Sequence, residues 1–264
     1  MIDDIEGCQP FPGATDVHGQ IETVNGVDVH HWFIEVAGTR YHGVVAGDRR
    51  APAVLLLHGM PECWYAWHHQ IADLARDRFV IVPDLKGDGQ SDKRLDLSYA
   101  FAHGAFEMAL VLERFGVDQF DVVAHDRGAV LGDHLFPRVI LQPAAVPGLY
   151  QMTFNPIDEE TIGRIEREFH RRGVAHAVRL TFVHTDFDIE MDDRAKYLIP
   201  KMKCPVHLIQ AELDPGQKPS DYDGLEEVGP NFTIEWIHGA GHFSHLEMPD
   251  QVSATIRTFL DGGR

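Results

Sequence analysis

Positive charge is scarce in this chain, and so are cysteines. Lys and Arg number 23 against 41 Asp and Glu, a formal net charge of −18. That balance argues against nucleic acid or an anionic membrane as a partner and for a soluble, freely diffusing protein. The three cysteines, Cys8, Cys63 and Cys204, are odd in number, far apart and without any C-x-x-C. Neither a disulfide framework nor a cysteine zinc site is expected from them. No apolar run approaches the ~20 residues a membrane span needs. The acidic stretch Met1 to Glu6 does not read as a secretory leader, so the expected location is the cytoplasm. Among the 17 histidines, His30–His31, His68–His69 and the trio His238, His242 and His245 lie close in sequence. None has the carboxylate-supported helical spacing of a zinc site, and no metal or cofactor is expected.

What is present is ordinary for a globular protein: 264 residues, 44% hydrophobic and 24% charged. That suffices for one α/β domain with a small insertion. Residues 1–28 carry Gly, Pro and Asp with little periodicity and read as an irregular lead-in. The runs 31–36 and 41–45 then read as a β-hairpin split by Gly38-Thr39. Ala53 to Leu57 and Phe79 to Val82 are continuous apolar runs, the pattern of strands buried on both faces. A helical stretch from about Cys63 to Arg76 separates them. Ser98 can cap a further helix whose Phe101, Ala105, Met108, Leu112 and Phe115 recur at steps of three and four until Gly116. Strands alternating with helices predict a mostly parallel, doubly wound sheet.

After residue 128 the rhythm loosens. Gly128 to Leu141 reads as a helix that Pro137 kinks or breaks, and Gly148 to Met152 as a strand end. Residues 155–195 interrupt the alternation with one amphipathic helix (Ile162, Ile165, Phe169) and a second (Val174, Val178, Phe182), flanked by acidic residues. They are expected to form a small helical cap on a core made of residues 1–154 and 196–264. The pattern resumes with strands at 206–209 and 233–237 and a last helix from about Pro249 to Leu260.

The chemistry centres on Phe120-Asp121-Val122-Val123-Ala124-His125-Asp126-Arg127-Gly128. A β-branched strand ends in small residues two before and two after Asp126, which leaves room for a strained turn that pushes one side chain out at the sheet edge. This is a nucleophile-elbow pattern with Asp where Ser usually stands. An Asp in such a turn can also merely cap a helix, so its surroundings decide. Three constellations follow other predicted strands, where open α/β sheets place their chemistry. His58-Gly59-Met60-Pro61 offers backbone N–H groups to an oxyanion. Glu212-Leu213-Asp214-Pro215 offers two carboxylates, either of which can orient a histidine. Gly239-Ala240-Gly241-His242-Phe243 displays a histidine on a glycine-rich loop. Asp126, Asp214 and His242 together keep the chain order nucleophile, acid, base, and Asp214 rather than Glu212 is expected on the His242 ring.

At these residues the sequence resembles the α/β-hydrolase fold superfamily and, within its Asp-nucleophile branch, the epoxide hydrolases. Leu57-His58-Gly59-Met60-Pro61-Glu62-Cys63-Trp64-Tyr65-Ala66-Trp67 is similar to that family's H-G-x-P-E-x-W-Y-x-W segment, and Pro83 to Ser91 to its P-D-x-R-G-x-G-x-S motif. The likeness covers residues 51–135 closely and 201–260 more loosely. It implies the α/β-hydrolase fold, an alkyl-ester intermediate on Asp126, water activated by His242 and oriented by Asp214, and an oxyanion held by the N–H groups of Met60 and Arg127. A carboxylate nucleophile suits displacement at saturated carbon.

Departures from the family pattern leave other readings open. The resemblance implies two cap tyrosines as acids for the opening epoxide oxygen, yet residues 151–196 contain no Tyr. Tyr150, Tyr197 and His184 are the candidate donors. The cap is short for the family, leaving the pocket open or completed by a second subunit in a homo-oligomer. Haloalkane and haloacid dehalogenases share H-G-x-P and H-D-x-G and remain an alternative. Arg127-Gly128-Ala129-Val130, however, lacks the second Arg of the R-G-A-R segment that holds a haloacid carboxylate. A ligand-binding protein that keeps the fold without turnover, and an ester or lactone hydrolase, are the further alternatives.

Overall fold

The computed structural model describes residues 19–129, 153–171, 173–174, 177, 180–181, 205–216, 220 and 231–262. The two continuous apolar runs form the central strands β4 (Ala53–Leu57) and β5 (Phe79–Pro83), every residue of both buried. They are joined by a 3-10 turn (Trp64–Trp67) and helix α1 (His68–Leu74). Parallel pairing extends from β4 to β5 on one side and to β6 (Phe120–Ala124) on the other. The opposite end of the sheet is antiparallel. Strands β1 (Ile21–Val24), β2 (Val27–Val36) and β3 (Thr39–Ala46) form a meander that joins β5, giving the order β1-β2-β3-β5-β4-β6. Strands β7 (Val206–Ala211) and β8 (Phe232–Ile237) pair in parallel as a second, two-stranded sheet among the described residues.

The supposedly irregular lead-in thus holds a strand and a hairpin. Asn25 and Gly26 take φ of 47° and 79°, and Ala37 and Gly38 take 48° and 78°. Two consecutive residues of positive φ make the tight turn that matches strand twist, and Asn-Gly is its strongest local signal. The short runs around it hid that signal.

Alternation along the strands distributes the core over both faces. Leu55, Leu57 and Ile81 face α2 (Phe101–Arg114), packing on Phe101, Met108, Val111 and Leu112. Val54, Leu56, Val80 and Val82 face the other way, toward Trp64, Trp67, Ile71 and the C-terminal helix α5 (Pro249–Gly262) with Val252, Ile256 and Leu260. Each such aliphatic side chain contributes about 1.5–3 kcal/mol when fully buried. Ser98 is not the cap of α2. The N-cap is Ala100, without a side-chain cap, while Ser98 Oγ accepts only a long 3.4 Å bond from the Ala100 N–H. Gly116, at φ 71°, ends the helix, and the Val117 N–H returns to the Leu112 carbonyl.

Of the expected cap, helix α3 (Glu159–Phe169) is described, and Asp158 caps it by accepting the Thr161 N–H at 2.8 Å. Ile165 packs on Ala66, Phe243 and Leu246, while Phe169 and Val174 pack on Met60. Arg164 bonds Glu22 and lies over the Tyr65 ring at 3.9 Å. A short helix α4 (Ser244–Glu247) precedes α5. The Pro137 kink, the strand end at 148–152, most of the second cap helix and the acidic segment after it lie outside the described residues, as do Tyr150, Tyr197 and His184. Among the described residues, no helix is long and apolar enough to cross a membrane.

Candidate active site

Strand β6 delivers its chain into a turn where Asp126 takes φ 53°, a conformation costing a non-glycine residue about 1–3 kcal/mol and typical of functional sites. Close approach explains the small neighbours. A Cβ on Gly128 would lie 2.4 Å from the His58 carbonyl oxygen, and one on Gly59 would lie 2.4 Å from Asp126 Cβ. The loop after β4 therefore crosses directly over the elbow. The Met60 N–H donates to Asp126 Oδ1 at 2.9 Å, and the Arg127 N–H also bonds this carboxylate. Asp126 Oδ2 has no hydrogen-bond partner. Burial pushes the Asp126 carboxyl above its ordinary value, against the attraction of His125 and His242.

Opposite Asp126 Oδ2, at 3.9 Å, stands His242 Nε2, likewise without a hydrogen bond. His242 follows β8, and its Nδ1 bonds Asp214 Oδ2 at 2.9 Å. A carboxylate there selects the tautomer with the proton on Nδ1 and leaves Nε2 as the basic atom. Asp214 follows β7 and is fixed in turn by the Gly216 N–H at 2.9 Å. Burial alone would raise the Asp214 carboxyl, but the hydrogen bond from His242 reverses this and lowers it. Glu212 points elsewhere: it accepts the Gly239 N–H at 3.1 Å and pairs with exposed His238. Asp126, His242, Asp214 and the Met60 and Arg127 N–H groups thus converge at the carboxyl ends of β4, β6, β7 and β8.

The Arg127 side chain is turned away from this centre and forms a buried ion pair with Asp88. Burial lowers its pKa to about 10. It lends the site a backbone N–H rather than a free guanidinium. His58 supports the same loop, its Nδ1 donating to the Gly59 carbonyl at 2.7 Å and its Nε2 accepting the Leu85 N–H at 2.9 Å. Burial lowers this imidazole to about 4, which suits the neutral ring those bonds require.

Sequence reasoning missed a second buried group beside the first. Glu62 accepts the Gly59 N–H at 2.8 Å and meets His125 Nδ1 at 3.1 Å and His245 Nε2 at 2.9 Å. Burial alone would raise the Glu62 carboxyl, but His245 and His125 outweigh it and hold the group well below the usual range. One ligand atom from each of Glu62, His125 and His245 lies within 4.8 Å of the others, a set able to hold a metal ion. Ligation would require the ring nitrogens facing Glu62 to be free of protons and their hydrogen bonds to Glu62 to be given up. The only local signal was the adjacency of Glu62 and His125 to the two motifs.

Comparison with known proteins agrees with this fold. Residues 52–162 match the sequence profile of the alpha/beta hydrolase fold family. Epoxide hydrolase B of Mycobacterium tuberculosis is 40% identical over 103 residues, 38% of this chain and 29% of that protein. Epoxide hydrolase 2 of Siraitia grosvenorii is 38% identical over 105 residues, 39% of this chain and 33% of that protein. The match thus spans about a third of the length of these curated relatives. Among solved structures, Cfl2 from Burkholderia cenocepacia superposes with a TM-score of 0.75 at 25% identity, covering 96% of this chain and 98% of that one. The epoxide hydrolase VrEH1 from Vigna radiata superposes with a TM-score of 0.74 at 24% identity, covering 89% and 98%. A profile match across the elbow and superposition along nearly the whole chain lead to one conclusion: this chain has the α/β-hydrolase fold, and its sequence likeness runs to epoxide hydrolases.

Proposed function

We propose that the protein is a hydrolase that opens an epoxide to a vicinal diol through an ester on Asp126. The observation that carries this reading is the asymmetry of the Asp126 carboxylate. Oδ1 accepts the Met60 N–H, while Oδ2 is unpaired and faces His242 Nε2 at 3.9 Å. Oδ2 attacks an epoxide carbon, the C–O bond breaks, and the ring oxygen takes a proton from an acid. Tyr150, Tyr197 and His184 remain the candidates for that acid. His242 Nε2 then removes a proton from water, whose oxygen adds to Asp126 Cγ. The negative charge developing on Oδ1 is met by the Met60 and Arg127 N–H groups, as in other acyl-transfer sites. Collapse releases the diol with Oδ2, which takes the proton held by His242, and the carboxylate is restored with the oxygen of water, its remaining proton returning to the acid that opened the ring. Asp214 keeps the imidazole in the required tautomer and stabilises its cation. Of the expected cap, Phe169 and Val174 pack on Met60, whose N–H bonds Asp126.

Replacing His242 separates the two steps, because alkylation needs no base and ester hydrolysis does. His242→Gln incubated with an epoxide is expected to gain the full mass of the substrate, since ring opening expels nothing. A halogenated substrate would add its mass less hydrogen halide, with one halide released per site, and would assign dehalogenation. An ester would leave an acyl adduct and one alcohol. Asp126→Ala is expected to abolish every adduct. No adduct on His242→Gln with compounds that the wild type turns over would sink the carboxylate-nucleophile mechanism.

A further inference from the structure

We propose that the N-terminal strand fastens cap helix α3 to the sheet: a hydrogen-bonded tie runs from Asp84 through His42 and His31 to Glu22 and ends on Arg164, and it is complete while the two histidines share one extra proton. The tie rests on geometry alone; its bearing on turnover rests on Asp126 being the nucleophile. Asp84 Oδ2 meets His42 Nδ1 at 2.7 Å, His42 Nε2 meets His31 Nδ1 at 3.0 Å, and His31 Nε2 meets Glu22 Oε2 at 3.3 Å. A carboxylate only accepts, so each outer contact needs a ring proton, and the middle contact needs one proton on either nitrogen. Three contacts therefore take three ring protons, where two neutral imidazoles carry two. One extra proton completes the line and gives the pair a single charge. A second would set two N–H groups against each other across 3.0 Å.

At its outer end the line holds the cap helix. Arg164 reaches both Glu22 oxygens, with Nη2 donating to Oε2 at 2.7 Å. Its guanidinium lies 3.9 Å from the centre of the Tyr65 ring and 4.9 Å from that of Trp64. The same helix packs Ile165 on Phe243, next to His242, and Phe169 on Met60. At its inner end Asp84 accepts the Trp64 N–H at 2.9 Å, on the segment that continues from Met60. The tie therefore joins β1, β2, β3 and the loop after β5 to the helix lying against the loops of base and oxyanion donors. Glu22, His31, His42 and Arg164 all fall outside the residues 52–162 that match the family profile.

The pair faces a carboxylate at each end, Glu22 and Asp84, and beyond Asp84 stand His58, Cys63, Lys93 and Arg171. Hydrogen bonds from Arg164 hold the Glu22 carboxyl below its ordinary value. Burial alone would raise Asp84, but His42 and the other donors outweigh it, so neither carboxylate supplies the missing proton. Burial, and then repulsion from His42, lower His31 to about 4, which keeps the pair from taking a second charge until the solution is acid. Loss of the shared proton leaves two ring protons for three contacts. The contact that opens is His31 to Glu22, the longest of the three, because Glu22 is 35% exposed and water can satisfy it. Asp84, buried, has no such substitute and keeps the His42 proton.

The test counts ring protons and reads the cap helix directly. In protein labelled with 15N-histidine, His31 and His42 together are expected to carry three nitrogen-bound protons at about pH 6. A fourth should bind only near 4. Raising the pH until one is lost should speed amide exchange in α3 about tenfold or more, after correction for the intrinsic rate, and leave β4 unchanged; this is the scale of a charged hydrogen bond. Glu22→Gln should carry two ring protons at about pH 6, because its amide can itself donate to His31 Nε2, and should loosen α3 by a similar factor. Glu22→Asp, which keeps the charge, should retain the third proton. Arg164→Gln should loosen α3 with all three ring protons in place. Both loosened variants should raise KM about tenfold with kcat within about threefold. Two ring protons in the wild type at that pH overturn the proposal, as does α3 exchange that neither Glu22→Gln nor Arg164→Gln changes. If no epoxide or halide is turned over, the proposed reaction fails, and the proton count and the exchange alone decide the tie. If Glu22→Gln does not fold, Arg164→Gln and the wild-type titration decide it.

Discussion

Two buried aspartates, at the ends of neighbouring parts of the same sheet, have opposite fates. Asp84 after β5 is 1% exposed and Asp126 after β6 is 2% exposed. Burial pushes both carboxyls up, yet the Asp84 group ends far below its ordinary value and the Asp126 group ends above it. The difference lies in donors. Asp84 accepts from the Trp64 N–H on Oδ1 and from the Gln90 N–H and His42 Nδ1 on Oδ2, at 2.7 to 2.9 Å. Gly89 makes the wrapping possible, since its φ is 44° and a Cβ there would sit 2.0 Å from Asp84 Oδ2. Asp126 has donors on one oxygen and none on the other. A carboxylate satisfied on both oxygens is a structural anchor; one satisfied on a single oxygen keeps a reactive lone pair.

The comparison can be broken most severely at the base. Asp214→Asn is expected to lower kcat about 10³- to 10⁴-fold by upsetting the His242 tautomer. Glu212→Gln, which removes only an exposed pairing, should change the rate no more than about twofold. Equal losses in the two variants would show that Asp214 does not orient the base.

Asp84→Asn should act on stability instead, costing about 3 kcal/mol in urea unfolding, as expected when one partner of a buried ionic network is removed. Because the folded Asp84 carboxyl lies below its unfolded value near 3.8, its contribution is present above that pH. It fades as pH falls through the folded value, so wild type and variant should converge in acid. A gap independent of pH would mean that packing, not charge, is what Asp84 supplies.

The smallest effect runs the other way. Asp126 is raised on folding, so its ionisation above 3.8 costs the folded state stability at neutral pH. Asp126→Asn should therefore abolish activity yet gain about 1 kcal/mol, seen as a Tm rise of roughly 2–4 °C. A fall in Tm would place Asp126 with Asp84 as an anchor.

Much of this architecture was legible in the chain. The run Ala53 to Leu57 is β4 residue for residue, and Phe79 to Val82 falls one residue short of β5. The elbow residues, the two carboxylates after β7 and the histidine after β8 were each readable as loops following strands. The Asn25-Gly26 hairpin was missed because β1 has four residues and mixes Glu and Thr with its apolar positions. The Glu62–His125–His245 group and the Arg127–Asp88 pair were missed for another reason. No pattern within a helix or strand relates positions 63 or 183 residues apart, as Glu62 is from its two histidines.

By itself the sequence determined where β4, β5, α2 and β6 run, since periodicity and backbone preference act over a few residues. It also put an Asp, not a Ser, on the elbow, which restricts the proposed nucleophile to a carboxylate. Only the tertiary structure decided which carboxylate is satisfied on both oxygens and which keeps one oxygen unpaired. Those states depend on how many donors and acceptors from remote segments reach each buried atom, and that number exists only once the loops at the ends of β4, β5, β6, β7 and β8 have met.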